Sequence, residues 1–267
     1  MQNNVDFGVR RFGRVNWIGL WTLIARENRR YLSIWQQTVM APLVTAGLFL
    51  LVFSIAIGSQ RGDVNGFPFL TFLAPGLLMM TVIQNAFANS SSSLLSSKVM
   101  GNIVDTLMPP LSPLELTIGF IAGGIGRALA IGFVLCIAMG LVLGVWVQNP
   151  LWTLAFVIFG GAFMAALGLI GAMHAQKFDH MAALTNFVVT PLAFLSGTFY
   201  SVNALPSVLQ PITWANPMFY IIDGGRYGVI GASDANPAFA LAMVILFAAV
   251  AVGVVWYMFR IGYRLKA

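Results

Sequence analysis

Long apolar runs alternate with short polar breaks along this chain. Between Arg30 and Arg61 no residue is charged, and APLVTAGLFLLVFSIAIG forms the core of a first run. A turn over residues 62–66 precedes a second run at about 68–95, and a third covers about 116–147. After a QNP turn the fourth occupies about 151–175. The loop HAQKFDH leads to a fifth at about 181–200, and a sixth spans about 237–259 before the chain ends in RIGYRLKA. Each run is long enough for a hydrocarbon core of roughly 30 Å, and none shows the two-residue alternation of a barrel strand. The pattern predicts an all-α integral membrane protein with six transmembrane helices.

Three segments fit neither span nor simple loop. WIGLWTLIARENRRYLSIW sets Trp17, Trp21, Ile24, Tyr31 and Trp35 at roughly helical spacing, with Arg26, Glu27, Arg29 and Arg30 clustered away from them. That is the pattern of an interfacial helix in the headgroup layer; a plain basic flank to the first span is the alternative. LPSVLQPITWANPMFYIIDGGRYGVIG, residues 205–231, is apolar enough to enter a membrane, but Pro206, Pro211, Pro217 and the Gly224-Gly225 pair interrupt it. Irregular backbone at that depth needs protein or water around it, so a re-entrant hairpin is expected between spans five and six. VDTLMPPLSPLEL, residues 104–116, joins spans two and three. Its prolines Pro109, Pro110 and Pro113 exclude an uninterrupted helix, and it keeps Asp105 and Glu115 in a chain only 8% charged.

Composition agrees with the pattern. The chain is 59% hydrophobic with a mean hydropathy of +0.86, whereas soluble domains carry roughly a quarter charged residues. A net charge of +6 would fit nucleic acid, but no basic run is interleaved with aromatics in a polar segment, so nucleic acid is set aside. Basic residues instead collect on one side of the membrane. With the N-terminus inside, Arg10, Arg11, Arg14, Arg26, Arg29, Arg30, Lys98, Lys177, Arg260, Arg264 and Lys266 are cytoplasmic, Arg61 and Arg226 are outside, and Arg127 lies within a span. Both termini and the 104–116 elbow are therefore expected in the cytoplasm. One transmembrane domain results: residues 1–33 interfacial, 34–260 the six-span core, 261–267 a tail. The N-terminus lacks a cleavage-site pattern.

Candidate chemistry is sparse. A phosphate-cradling loop needs Lys followed by Ser or Thr, and the three lysines precede Val99, Phe178 and Ala267. Any ATP must be bound by another subunit. His174 and His180 flank Asp179 at a spacing that suits loop residues better than metal ligands, and Cys136 reads as a packing residue. No Ser, His and carboxylate grouping falls on one side; a secondary carrier or an intramembrane enzyme remains a distant alternative. Arg127 lies about ten residues into its span, roughly 15 Å of rise, where a charge is costly. It faces either a cavity or subunit contact, or a structural pairing with backbone carbonyls. Gln84, Asn85 and Asn89 share one helix face, as helix glue or as the lining of a conduit. Gly119-x-x-x-Gly123 and the small residues from Gly161 through Ala172 make close-packing faces.

The run KVMGNIVDTLMPPLSPLELTIG resembles the cytoplasmic loop of ABC-2 type transporter permeases through Lys98, Gly101, Asp105, Leu107, Pro110, Leu111, Ser112 and Glu115. LSGTFYSVNALPSVLQPITWANPMFYIIDGGRYGVIG resembles the same family's C-terminal signature of Ser-Gly, Leu-Pro, Asn-Pro and Arg-Tyr-Gly. Asp105 departs from the Glu that many relatives carry. The resemblance implies the membrane half of a bacterial ABC exporter, placed in the inner membrane as a homodimer with two cytoplasmic ATPase subunits. This chain would bind no cofactor, and ATP and Mg would sit on the partner. Lys98, Gly101, Asp105, Leu107, Pro109, Pro110, Ser112 and Glu115 would form a coupling helix, with the two acids pairing basic groups on the ATPase. Spans two and five would border the path. Trp214, Phe219 and Tyr220 would gate it beside an Asp223–Arg226 ion pair, and Phe72, Gln84, Asn85 and Arg127 would line it. The expected cargo is hydrophobic or amphipathic, drug- or lipid-like, with a polysaccharide or glycolipid as the alternative.

Overall fold

The computed structural model describes residues 15–56 and 62–265. Arg10, Arg11, Arg14, Arg61 and Lys266, which entered the charge asymmetry, lie outside the described residues. Apart from one bridge between Val64 and Phe67, the regular elements among the described residues are helical. In order they are α1 (Trp17–Ser33), α2 (Ala41–Ala56), α3 (Phe69–Val99), α4 (Ile103–Leu107), α5 (Pro113–Leu143), α6 (Pro150–His174), α7 (Phe178–Leu184), α8 (Thr190–Phe194), α9 (Gln210–Ala215), α10 (Pro217–Ile230) and α11 (Pro237–Arg260). Among the described residues, five stretches are long and apolar enough to cross a membrane: Gln36–Ala56, α3, α5, α6 and α11.

Asparagine and proline set several helix starts. Asn216 and Asn236 each accept backbone N–H groups with the side-chain oxygen, and Pro217 and Pro237 follow at the first helical position, where a missing N–H costs nothing. At α5, Ser112 and Glu115 form a reciprocal capping box around Pro113. That helix ends at Leu143 instead of running to residue 147, because Gly144 turns left-handed at φ 68° and donates its N–H to the Gly140 carbonyl.

The fifth run differs from expectation. Residues 178–194 are helical in consecutive stretches of 7, 5 and 5 residues, the middle one, Thr185–Val189, being a π turn. At about 1.5 Å per residue this rises roughly 25 Å, less than the hydrocarbon thickness, and the helix stops six residues before the expected end at residue 200. Proline explains the π turn. Thr190 N–H bonds to the Thr185 carbonyl immediately before Pro191, and Ala41 N–H bonds to the Gln36 carbonyl immediately before Pro42. Widening the turn makes room for a ring that would otherwise press on the preceding carbonyl.

Helix α3 forms the centre: 72% of its most apolar window is buried, against 11% for Gln36–Ala56. It packs against α5, α6 and α10, with Gly168 of α6 against the Phe87 carbonyl and Gly124 of α5 against Ser90 and Ala165. The Gly119 and Gly123 face receives α1, through Leu23 and Glu27. The α1 aromatics split accordingly. Trp17 and Trp21 are 72% and 71% exposed, as an interfacial face requires, while Tyr31 turns inward with Leu20, Leu23 and Glu27. Helix α10 runs antiparallel along α6. Its end bonds through the Gly228 and Val229 carbonyls to Asn149 and Gln148 N–H, and Met218 at its start shares a cavity with Leu167 and Ile170. Gly224 and Gly225 do not interrupt it; they admit Phe156 and Met79, whose atoms a β-carbon would displace.

Stacking of Phe120 on Phe259 and a tilted contact of His174 with Tyr263 bring the start of α5 together with the ends of α6 and α11. Lys98, Arg260, Arg264 and the α1 arginines thus gather at one end of the bundle, and the loops holding Asp234 and Gly197 at the other.

Candidate functional site

The elbow is a bracket with one free face. Gly101 adopts φ 77°, and the five-residue α4 follows. Ile103 and Thr106 point inward, whereas Val104, Asp105, Met108, Pro109 and Pro110 are exposed. The inner side is tied down: Arg26 Nη1 donates to Thr106 Oγ1 at 2.7 Å. Glu115 was expected to meet a partner, but it is buried and already committed. Its Oε2 accepts from Ser112 N–H at 2.6 Å and its Oε1 from Asn16 N–H at 2.5 Å. Asn16 in turn caps α1 by accepting from Gly19 N–H at 3.0 Å and donates to the Pro110 carbonyl at 3.3 Å. One carboxylate therefore joins the starts of α1 and α5 to the base of the elbow. Lys98 also faces in. Its ammonium donates to the carbonyls of Ala172, Met173 and Ala175 at 2.9, 2.8 and 2.9 Å, closing the C-terminal end of α6, where carbonyls lack helical partners. Asp105 keeps its face to solvent, with Leu107 half-buried behind it.

A polar seam joins α1, α3 and α5. Thr81, Gln84, Asn85, Ala88 and Ser92 form a half-buried to exposed stripe on α3, with Asn89 buried beside it. Arg127, expected either at a cavity or subunit contact or paired with backbone carbonyls, donates not to a carbonyl of the main chain but to Asn85 Oδ1 at 2.7 Å, while Asn85 Nδ2 donates to the Thr81 carbonyl. One turn along, Arg30 donates to the Asn89 carbonyl at 2.7 Å, to Asn89 Oδ1 at 2.9 Å and to Ser92 Oγ at 3.2 Å. The fully buried Glu27 pairs with Arg26 at 3.0 Å and with Arg30 at 3.6 Å. Burial lowers the Arg30 pKa, and Glu27 opposes that shift.

At the opposite end Asp223 and Arg226 form the expected ion pair at 3.1 Å, completely buried. Arg226 also donates to the Gly197 carbonyl at 2.5 Å and lies 4.0 Å over the Phe72 ring, a desolvated cation–π contact. Asp223 accepts from Asp234 and Ala235 N–H at 2.9 to 3.0 Å. The Asp234 carboxylate accepts from the Ser201 hydroxyl, Val202 N–H and Asn65 Nδ2. Phe72 and Phe219 are inaccessible in this conformation, so neither lines an open path here: Phe72 lies beneath Arg226 and Phe219 lies between Trp214 and Tyr220, with ring centroids at 4.9 and 5.3 Å. Tyr220 donates its hydroxyl to the Trp214 carbonyl at 2.8 Å. Trp214 alone of the three stays half-exposed.

Sequence reasoning missed Asn16 and Asp234, and it read the Asn-Pro at 216–217 as a signature element without the capped helix start that Asn-Pro signals there and at 236–237. It also missed a second aromatic cluster, in which Phe199 stacks on Phe53 at 5.4 Å and on Phe194 at 5.3 Å, joining α2 to α8. Among the described residues no group of His, Cys, Asp and Glu is placed to hold a metal ion.

Residues 19–230 match the model of a family described as ABC-2 type transporter. The chain is similar to an Escherichia coli (strain K12) protein named inner membrane transport permease YadH, at 31% identity over 251 residues, covering 94% of this chain and 98% of the relative. It is also similar to nodulation protein J of Sinorhizobium fredii (strain NBRC 101917 / NGR234), at 23% identity over 241 residues, covering 87% and 88%. Nodulation protein J of Rhizobium leguminosarum bv. viciae matches at 23% identity over 240 residues, covering 88% and 90%.

Proposed function

Because the chain belongs to the ABC-2 type transporter family, we propose that it is the permease of an ATP-driven exporter in the bacterial inner membrane. Two copies form the path, and two cytoplasmic ATPase subunits, carrying ATP and Mg, dock on their elbows. The cargo is a hydrophobic or amphipathic compound. The 178–194 run serves as a short fifth of six spans, and α9 with α10 forms a re-entrant hairpin at the outer end. Both termini and the elbow are cytoplasmic, the side on which basic residues accumulate.

One observation carries this reading: α4 and the residue after it expose Val104, Asp105 and Met108 together while the other side of the helix is anchored. A transmitting contact needs that combination, an accessible docking face with a carboxylate for charge-assisted pairing and a rigid connection behind it. Closure of the ATPase pair pushes α4. The push passes through Thr106 and Arg26 to α1, through Glu115 to the starts of α1 and α5, and from α3 through Lys98 to the end of α6. The path-bordering spans move with them, and release after hydrolysis resets the pair.

Asp105→Lys combined with Met108→Glu tests it. The variant should insert at wild-type level, yet its co-purification with a co-expressed ABC ATPase subunit should drop about tenfold or more, the loss of one strong polar contact and its apolar neighbour. Undiminished co-purification and ATP-driven transport would rule out α4 as the docking element.

A further inference from the structure

We infer that Arg30 and Arg127 form a binding site for the phosphoryl headgroup of an amphiphile, at the junction of α1, α3 and α5. The inference deepens the exporter reading, on which it rests for the site's place on the cargo route.

Charge balance is the first argument. Arg26, Arg30 and Arg127 are served by a single carboxylate, Glu27, which pairs with the first two; the polar contact of Arg127 is the neutral amide of Asn85. The cluster carries two excess positive charges, which matches a phosphoryl group of about −1.5 to −2. Hydrogen-bonding capacity is the second. Arg127 Nε and Asn89 Nδ2 are buried donors without a hydrogen-bond acceptor, while Arg30 Nε reaches Glu27 Oε2 only at a loose 3.6 Å; a group with several acceptor oxygens would serve these donors. Guanidinium forks suit such oxygens in particular.

Geometry is the third. The acceptors of Arg127 and Arg30, Asn85 and Asn89, are four residues apart on α3, so the two cations sit about 6 Å apart along one helix face. That face is the accessible one, where Thr81, Gln84, Asn85 and Ser92 are half-buried and Ala88 is exposed. Arg127 lies 14 positions past the start of α5, beside the end of α1, where Asn28 and Tyr31 pack on Gly126, and a half-buried charge within such an apolar helix is retained for a partner. Phospholipid and phosphorylated cargo share this headgroup chemistry.

The test uses the purified full-length chain in uncharged detergent, with no ATPase and no ATP. Binding of dioctanoyl phosphatidic acid is measured by titration calorimetry against dioctanoyl phosphatidylcholine, which has the same tails. The site predicts saturable binding of the acid and at least about tenfold weaker binding of the choline lipid. Arg127→Gln should weaken the acid about tenfold or more, the scale of one lost charge-assisted contact. Arg260→Gln, which removes an exposed charge elsewhere, should change nothing. If Arg127→Gln does not fold, Arg127→Lys reads the same site, with a loss of about threefold or more from the missing fork. Equal affinity for both lipids, or wild-type binding by the Arg127 variants, overturns the inference. Displacement of the lipid by inorganic phosphate would overturn the amphiphile in favour of a free anion; failure to displace supports it. A chain that binds no acid but still co-purifies with its ATPase rejects this site alone and leaves the transport reading standing.

Discussion

Arg226 shows what a single side chain can decide in this molecule. Its guanidinium pairs with Asp223, donates to the Gly197 carbonyl and covers Phe72, all without solvent. Removing one member of a buried pair leaves an uncompensated charge and costs about 3–5 kcal/mol. Arg226→Met should therefore lower the thermal unfolding midpoint of the purified chain sharply, followed by tryptophan fluorescence in detergent. Arg226→Lys should rescue little, because an ammonium cannot fork to Asp223 and Gly197 while lying flat on a ring. An unchanged midpoint for Arg226→Met would mean the node is not structural. The pair itself was legible, since Asp and Arg three apart face each other on a helix. Its other partners were not: Phe72 and Gly197 lie far away in sequence, and a phenylalanine in an apolar run carries no mark that tells packing from lining.

Among elements, the elbow and α1 behave as one unit through Glu115. Ser112-x-x-Glu115 before an apolar run is a legible capping signal, and the prolines announced the bend. The reach of the same carboxylate to Asn16 N–H, 99 positions away, has no sequence signature, so an acid that looked available to a partner is in fact occupied. Glu115→Ala would orphan the N–H groups of Asn16 and Ser112, each worth about 1–3 kcal/mol when buried. Hydrogen exchange at the start of α1 should then quicken about tenfold, while Asp105→Ala, altering only the exposed face, should leave it unchanged. Equal protection in Glu115→Ala would deny the joint. The expected fifth span illustrates the opposite limit: its apolar run is helical, but Pro191 and the π turn before it shorten the helix in a way that composition alone does not register.

For the whole molecule, exposed apolar surface is uninformative, because lipid is as apolar as leucine. Leu48, Leu51 and Val52 of α2 are each more than half exposed, and hydrocarbon covers them without cost. The α3 stripe is different. Thr81, Gln84, Asn85 and Ser92 with Arg127 would be expensive against acyl chains, so in the proposed pair of copies this face belongs against the second copy or a water-filled space between the two. If two copies pair as proposed, polar exposure orients the pair where apolar exposure cannot. In a Cys136→Ser background, Ala88→Cys should crosslink two chains through a short bis-maleimide, giving a dimer band on denaturing gels, and Leu48→Cys should not. Crosslinking from Leu48→Cys alone would place α2 at the interface and return the α3 stripe to a cavity within one chain. If Ala88→Cys reacts with soluble maleimide but never crosslinks, the stripe faces water too wide for the reagent to span, and the two copies meet elsewhere.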